Sequence, residues 1–420
     1  MIGERDLSAA ARRNLVVLAA SMATLYAMIE LVFGVSALTF EQGGGSEALA
    51  GVAPGIFLAC AAFAALAAGR AMDRYGPRPV LAAGFAAGLA GCLLAALGAD
   101  RGALAPALLG FALTGVTTGT VLLSRAAAAE MYPPERRPRA IALVLFGAVF
   151  GALLGPLVFG PLLGDDESGS AIALTWLGGA GFMAAGLVVA WRLRPDPREI
   201  GRALPAGEEE PGPAAAPVPE YESAGLRMIV SAPGVPAALL AVLASWAGMV
   251  TAMSLVGSAL ADHGHEHNAV FPVLAAHFVG MFAFFAVVGR VIERLGRVRS
   301  IVTGLLFLGA SSVTLVAAVE QIHLAALVLF GVGLGWSLSF VAATAELSDR
   351  APAGRQATLI GFADLLGDLS GAGLVVAGGF ALHELGVAAI GVGAAVLPLL
   401  AAIWIARAPA RPVPAASGAD

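Results

Sequence analysis

Twelve apolar runs of about twenty residues, each long enough to cross a hydrocarbon core of about 30 Å, leave this chain little choice of solvent. They lie near 14–39, 52–69, 79–98, 103–127, 139–161 and 170–192, and again near 236–258, 270–289, 299–319, 322–345, 357–380 and 386–406. A backbone in lipid must satisfy its own amides and carbonyls, and a helix does so within one segment. The expectation is an all-α membrane protein with twelve transmembrane helices. Composition agrees, because only 13% of the 420 residues are charged, too few to cover a soluble domain of this size. The 54 glycines suit helices that approach closely through small residues.

Arginines gather in alternate loops: Arg70, Arg74 and Arg78; Arg136, Arg137 and Arg139; Arg290, Arg294, Arg297 and Arg299; Arg350 and Arg355. The loops between hold only Arg101. The bias of basic residues toward the inside places both termini in the cytoplasm and predicts a multi-pass protein of the bacterial inner (cytoplasmic) membrane. The first run follows Arg12 and Arg13 but is too long for the apolar core of a signal peptide. Cys60 and Cys92 both fall inside apolar runs, which argues against a structural disulfide.

The stretch 193–235 breaks the pattern with EEEPGPAAAPVPEYES at its centre and reads as a flexible cytoplasmic linker. It divides an N-terminal six-helix half, 1–192, from a C-terminal half, 236–408, with a cytoplasmic tail at 409–420. The halves repeat. GRAMDRYGPRPV at 69–80 aligns with GRVIERLGRVRS at 289–300, Ala129-Glu130 with Ala345-Glu346, and Arg139 with Arg355. The first of these segments resembles the loop motif between the second and third spans of the major facilitator superfamily, in Gly69, Asp73, Arg74, Gly76 and Arg78. That resemblance implies the superfamily's fold of two six-helix halves. It also implies that these residues latch the cytoplasmic side through neighbouring helix ends.

Two further patterns carry chemistry. Met249 and Met253 are four apart in the seventh span, and His277 and Met281 are four apart in the eighth. Such spacing puts both members of a pair on one helix face, about 6 Å apart at Cβ. Counted from the outer ends, Met253 and His277 share one depth and Met249 and Met281 a deeper one, so antiparallel neighbours present two facing rungs. Three thioethers and an imidazole suit Cu(I) far better than hard cations. The pattern alone leaves open a soft-metal site and core filling by methionine, although a histidine in mid-membrane is costly without a role. MVTAM and HFVGM at this separation resemble the paired motifs of the CcoA-type copper importers, a branch of the same superfamily. The resemblance implies that these four residues bind transported copper, supplied to heme-copper oxidase assembly.

Secondary candidates surround this set. His263, His265 and His267 lie in the outer loop between the two motif-bearing spans, a candidate capture site, and His323 and His383 lie at outer ends. Met22, Tyr26 and Glu30 form a stripe in the first span, a candidate proton or secondary metal site. Asp364 and Asp368 in the eleventh span either share that role or pair with arginines from the inner loops. Gly151, Gly155-Pro156 and Gly160 partly resemble the glycine-proline motif of drug-proton antiporters. They support the rival reading of a proton-coupled carrier of an organic small molecule, a riboflavin-type importer included. A non-transporting membrane receptor is the other alternative. No triad, metal-hydroxide or phosphate-loop constellation appears, so no enzyme is expected. The expected partners are copper and membrane lipid, with no nucleic acid, and the chain is expected to be a monomer.

Overall fold

The computed structural model describes residues 4–45, 52–163, 168–203, 226–262, 270–352, 354–385 and 387–407, and every regular element among them is helical. The first half comprises α1 (Glu4–Gln42), α2 (Val52–Tyr75), α3 (Pro77–Arg101), α4 (Leu104–Val121), α5 (Ser124–Glu130), α6 (Arg137–Leu163) and α7 (Gly169–Trp191). Two short helices follow, α8 (Pro197–Ala203) and α9 (Leu226–Val230). The second half comprises α10 (Val235–Asp262), α11 (Val270–Phe278), α12 (Phe285–Leu295), α13 (Arg297–Ala318), α14 (Ile322–Arg350), α15 (Gln356–Leu385) and α16 (Val387–Arg407). Ten spans are long and apolar enough to cross a membrane, α11 and α12 form an eleventh bent by 50°, and the apolar α16 is the last. With α4 and α5 sharing one span, twelve crossings result. The described ends Glu4 and Arg407 therefore lie on one face, the terminal face.

Glycine sets how closely these helices approach. Along α6, Gly147 and Gly151 lie directly on the α1 backbone, where a Cβ at Gly151 would sit 2.8 Å from the Ala27 nitrogen. Gly155 lies against the side chain of Glu30 in the same way. The glycines that resemble an antiporter motif thus make a packing seam between the first and fifth spans, the arrangement small residues permit in lipid. Gly160 lies outside it, with open space around its Cβ position.

Two close helix contacts join the halves on the terminal face. α2 packs on α15, and α12 packs on α6. Gly69 lies against Ala357 and Thr358, where a Cβ would be 3.0 Å from the Thr358 Cα, and Gly289 lies against Arg139, 2.7 Å from its Cα. Gly69 and Gly289 are equivalent in the repeat, so one contact recurs by pseudo-twofold symmetry.

Two spans are interrupted. The fourth breaks at Leu122–Leu123, between α4 and α5. The eighth widens into a π-turn over Val279–Ala283 before α12, a device common at functional sites. The stretch 193–235, expected to lack regular structure, holds α8 and α9. α8 is docked: Arg198 donates to the Asp73 carbonyl at 3.0 Å, and Asn14 donates to the Pro195 carbonyl at 2.9 Å. The EEEPGP run lies outside the described residues, as does the tail.

Candidate functional site

Asp73 is the centre of one clasp between the halves. Its carboxylate accepts the backbone N–H groups of Ala357 at 3.1 Å and Thr358 at 2.8 Å. These are first-turn amides of α15, which have no partner within their own helix, and the positive end of the helix favours a carboxylate there. Gly76 joins α2 to α3 with φ 89°, and a Cβ there would meet the Asp196 and Arg198 side chains of the α8 segment. Both reasons call for glycine. Arg74 is exposed and lies over the Tyr75 ring at 5.1 Å. Arg78 points away from the interface between halves, its guanidinium 4.6 Å from the Trp191 ring centroid.

A second clasp holds Asp349 at the end of α14 between Arg137 of the first half, 2.7 Å, and Arg297 of the second, 2.5 Å. Both clasps close the terminal face. We expect Gly69→Val to push α2 off α15 and favour separation there. Pulsed-EPR distances between labels at exposed Tyr75 and Met228 should lengthen, and an unchanged distribution would show that the contact does not set the conformation.

Deeper in the protein, Asp364 of α15 forms an ion pair with Arg125 of α5, and both side chains are buried. The sequence leaves Asp364 either a proton or metal role or a pairing with an arginine from an inner loop. The structure supplies one within the bilayer, because a buried carboxylate needs its cation at its own depth. Arg125 also donates to the Leu122 carbonyl at 2.7 Å, a backbone group beside the break that precedes α5, and its guanidinium lies 5.0 Å from the Phe340 ring centroid. Arg125 lies inside the apolar run 103–127, and an arginine within such a run is the one sequence signal of this buried pair. Tyr26 lies within electrostatic reach of Arg125, Asp368, Glu30 and Asp364, so secondary candidates from both halves gather around this tyrosine. Met22, one turn before Tyr26, is fully buried. An aromatic cluster adjoins them: Tyr26 meets Phe282 edge-on at 5.0 Å, and Trp336 stacks on Phe340 at 4.8 Å and touches Trp246.

The eighth span differs from the expected regular helix. His277 lies in the last turn of α11 and Met281 within the π-turn, and both face α14. The His277 ring nitrogen Nδ1 lies 3.0 Å from the Leu329 carbonyl. A carbonyl only accepts, so Nδ1 carries the proton and Nε2 keeps its lone pair. That Nε2 is buried without a hydrogen-bond partner. Gly333 of α14 makes room for Met281, since a Cβ there would lie 2.9 Å from the Met281 nitrogen and 3.1 Å from its Cγ. Met249 is buried and Met253 half-buried on α10. α11 lies mainly against α14, whereas α10 packs on α15, α14 and α16, and α10 and α11 touch each other along only a short stretch. His263, His265 and His267 lie outside the described residues.

Residues 15–375 match the description Major Facilitator Superfamily. The chain belongs to the major facilitator superfamily. This transporter is 30% identical over 357 residues to the uncharacterized MFS-type transporter YdeG of Bacillus subtilis, covering 82% of this chain and 81% of that one. It is 25% identical over 347 residues to the riboflavin transporter RfnT of Brucella anthropi, covering 81% of each. Among solved structures, the proton:xylose symporter XylE superposes with a TM-score of 0.76 at 13% identity, over 96% of both chains. A bacterial homologue of the iron transporter ferroportin, in its outward-facing state, gives 0.70 at 16% identity, over 95% of this chain and 98% of that one. At such identities the likeness is one of fold.

Proposed function

We propose that this transporter imports copper, as Cu(I), from periplasm to cytoplasm by rocking its halves about Met249, Met253, His277 and Met281. The observation that carries this reading is His277, whose Nδ1 is committed to the Leu329 carbonyl while its buried Nε2 has no partner. Metal-binding histidines are commonly oriented in this way, by donating the other ring N–H to a backbone carbonyl. The orphaned lone pair is costly in a dry interior unless something fills it. Met281 follows on the π-turn, and Met249 and Met253 approach it as α10 and α11 close on each other during transport. Neutral thioethers hold a soft ion without the grip of a thiolate, which suits a site that must release its cargo.

A second reading, a proton-coupled carrier of a planar organic solute, draws on the buried Arg125–Asp364 pair beside the Trp246–Trp336–Phe340 cluster and on the riboflavin-transporting relative. Proteoliposomes separate the two. Radioactive copper, kept reduced, is expected to accumulate in vesicles containing the protein and riboflavin is not. Riboflavin uptake without copper uptake would replace the first reading by the second.

A further inference from the structure

At the terminal face, α1, the start of α3 and the end of α7 enclose a groove of about 670 Å³ on the outside of the first half. Arg13, Arg78, Arg192 and Arg194 supply its polar end, and none of the described residues lining it is acidic. The chain leaving α7 folds back under α1. Arg13 donates to the Arg194 carbonyl and Asn14 to the Pro195 carbonyl, and these bonds set Arg192 and Arg194 beside the groove. Arg78 lies over Trp191, and its Nε is buried without a hydrogen-bond partner. The other end is apolar and open to lipid, with Val16 68% exposed and Val17, Ala20 and Val189 beside it. Trp191, 55% exposed, stands between the two ends, as tryptophan does at the boundary of membrane and water. In the repeat the position of Arg78 is taken by Val298.

We propose that this groove binds the headgroup of an anionic phospholipid, with its phosphate among the four guanidinium groups and an acyl chain along α1 and α7. Guanidinium groups match phosphate through paired, charge-assisted hydrogen bonds. Basic pockets between helices at the membrane surface are suited to anionic lipids. A free phosphate ion would have no use for the apolar wall, whereas a lipid fills both ends at once. The assignment also gives Arg78 a role apart from the clasp at Asp73: it ties the start of α3, directly after the motif loop, to the bilayer.

Native mass spectrometry of the purified transporter, equilibrated with equimolar phosphatidylglycerol and phosphatidylcholine, tests the proposal. Phosphatidylglycerol is expected to be retained selectively. At about fivefold per arginine near the surface, R192Q/R194Q should weaken its retention by about 25-fold and Arg78→Gln by about fivefold. R290Q/R294Q, which removes two exposed charges elsewhere on the same face, should leave retention unchanged. Equal loss in R290Q/R294Q would reduce the effect to diffuse surface charge and overturn the site, as would full retention in R192Q/R194Q. Displacement of the lipid by millimolar inorganic phosphate would overturn the lipid as occupant.

Discussion

His277→Leu and Met249→Leu are each expected to reduce copper uptake to the level of empty vesicles while the protein still inserts and folds. His277 is fully buried, so its replacement by leucine removes a polar ring from an apolar site and leaves a side chain of similar bulk. The Leu329 carbonyl loses one donor but lies inside α14, where the helix ladder supplies another. Met249→Leu conserves volume and should cost less than about 1.5 kcal/mol. Stability is thus spared while a ligand is lost. Removing even an outer partner of a metal-binding histidine commonly costs 10–100-fold in affinity, so removing the ligand itself should cost more than about 100-fold. Met183→Leu, a buried methionine of α7 in the other half, should transport normally and controls for the loss of a thioether as such. A copper-dependent rise in melting temperature should follow the same order. Unchanged uptake in both ligand variants would remove the copper assignment and leave the organic-solute reading.

The twelve crossings could be read from the sequence because lipid imposes one length on every span and the halves repeat their loop motif. The breaks could not. The interruption at Leu122–Leu123 depends on a guanidinium that reaches back to the Leu122 carbonyl, and the π-turn at Val279–Ala283 lies where Gly333 lets α14 approach. Both are tertiary facts that hydrophobic periodicity does not carry. The spacing of Gly69, Asp73 and Gly76 identified a motif, but the N-terminus of α15 as its counterpart follows only from the pairing of α2 with α15. His277 and Met281 were visible as a pair. That the histidine turns its free nitrogen into a dry interior was not, because the Leu329 carbonyl that fixes the tautomer lies 52 residues away.

Arg125 is the residue whose loss should cost most in stability. Arg125→Leu leaves the Asp364 carboxylate buried in the bundle without its cation, and breaking a buried pair from one side costs about 3–5 kcal/mol. That is a large fraction of the roughly 5–15 kcal/mol that stabilises a typical domain, so the single variant should insert poorly or melt many degrees lower. Asp364→Leu should also destabilise. It takes from the buried guanidinium its direct ion-pair partner and leaves it the Leu122 carbonyl, the face of Phe340 and the more distant charge of Asp368. The double variant R125M/D364L removes both charges and fills the space with apolar atoms, and replacement of a buried pair in this way is often neutral or stabilising. Melting temperatures in detergent should therefore fall for each single variant and return to near the parent value for the double, the non-additivity expected of residues in contact. The pair also joins α5 of one half to α15 of the other, so it must part whenever those helices separate. In the double variant that electrostatic tie is absent, and separation of the halves should need less energy. The same labels at Tyr75 and Met228 should then report a larger separated population than in the parent protein. A parent-like melting temperature for Arg125→Leu alone would show that Asp364 does not depend on this cation, and the account of the interior charge would fall with it.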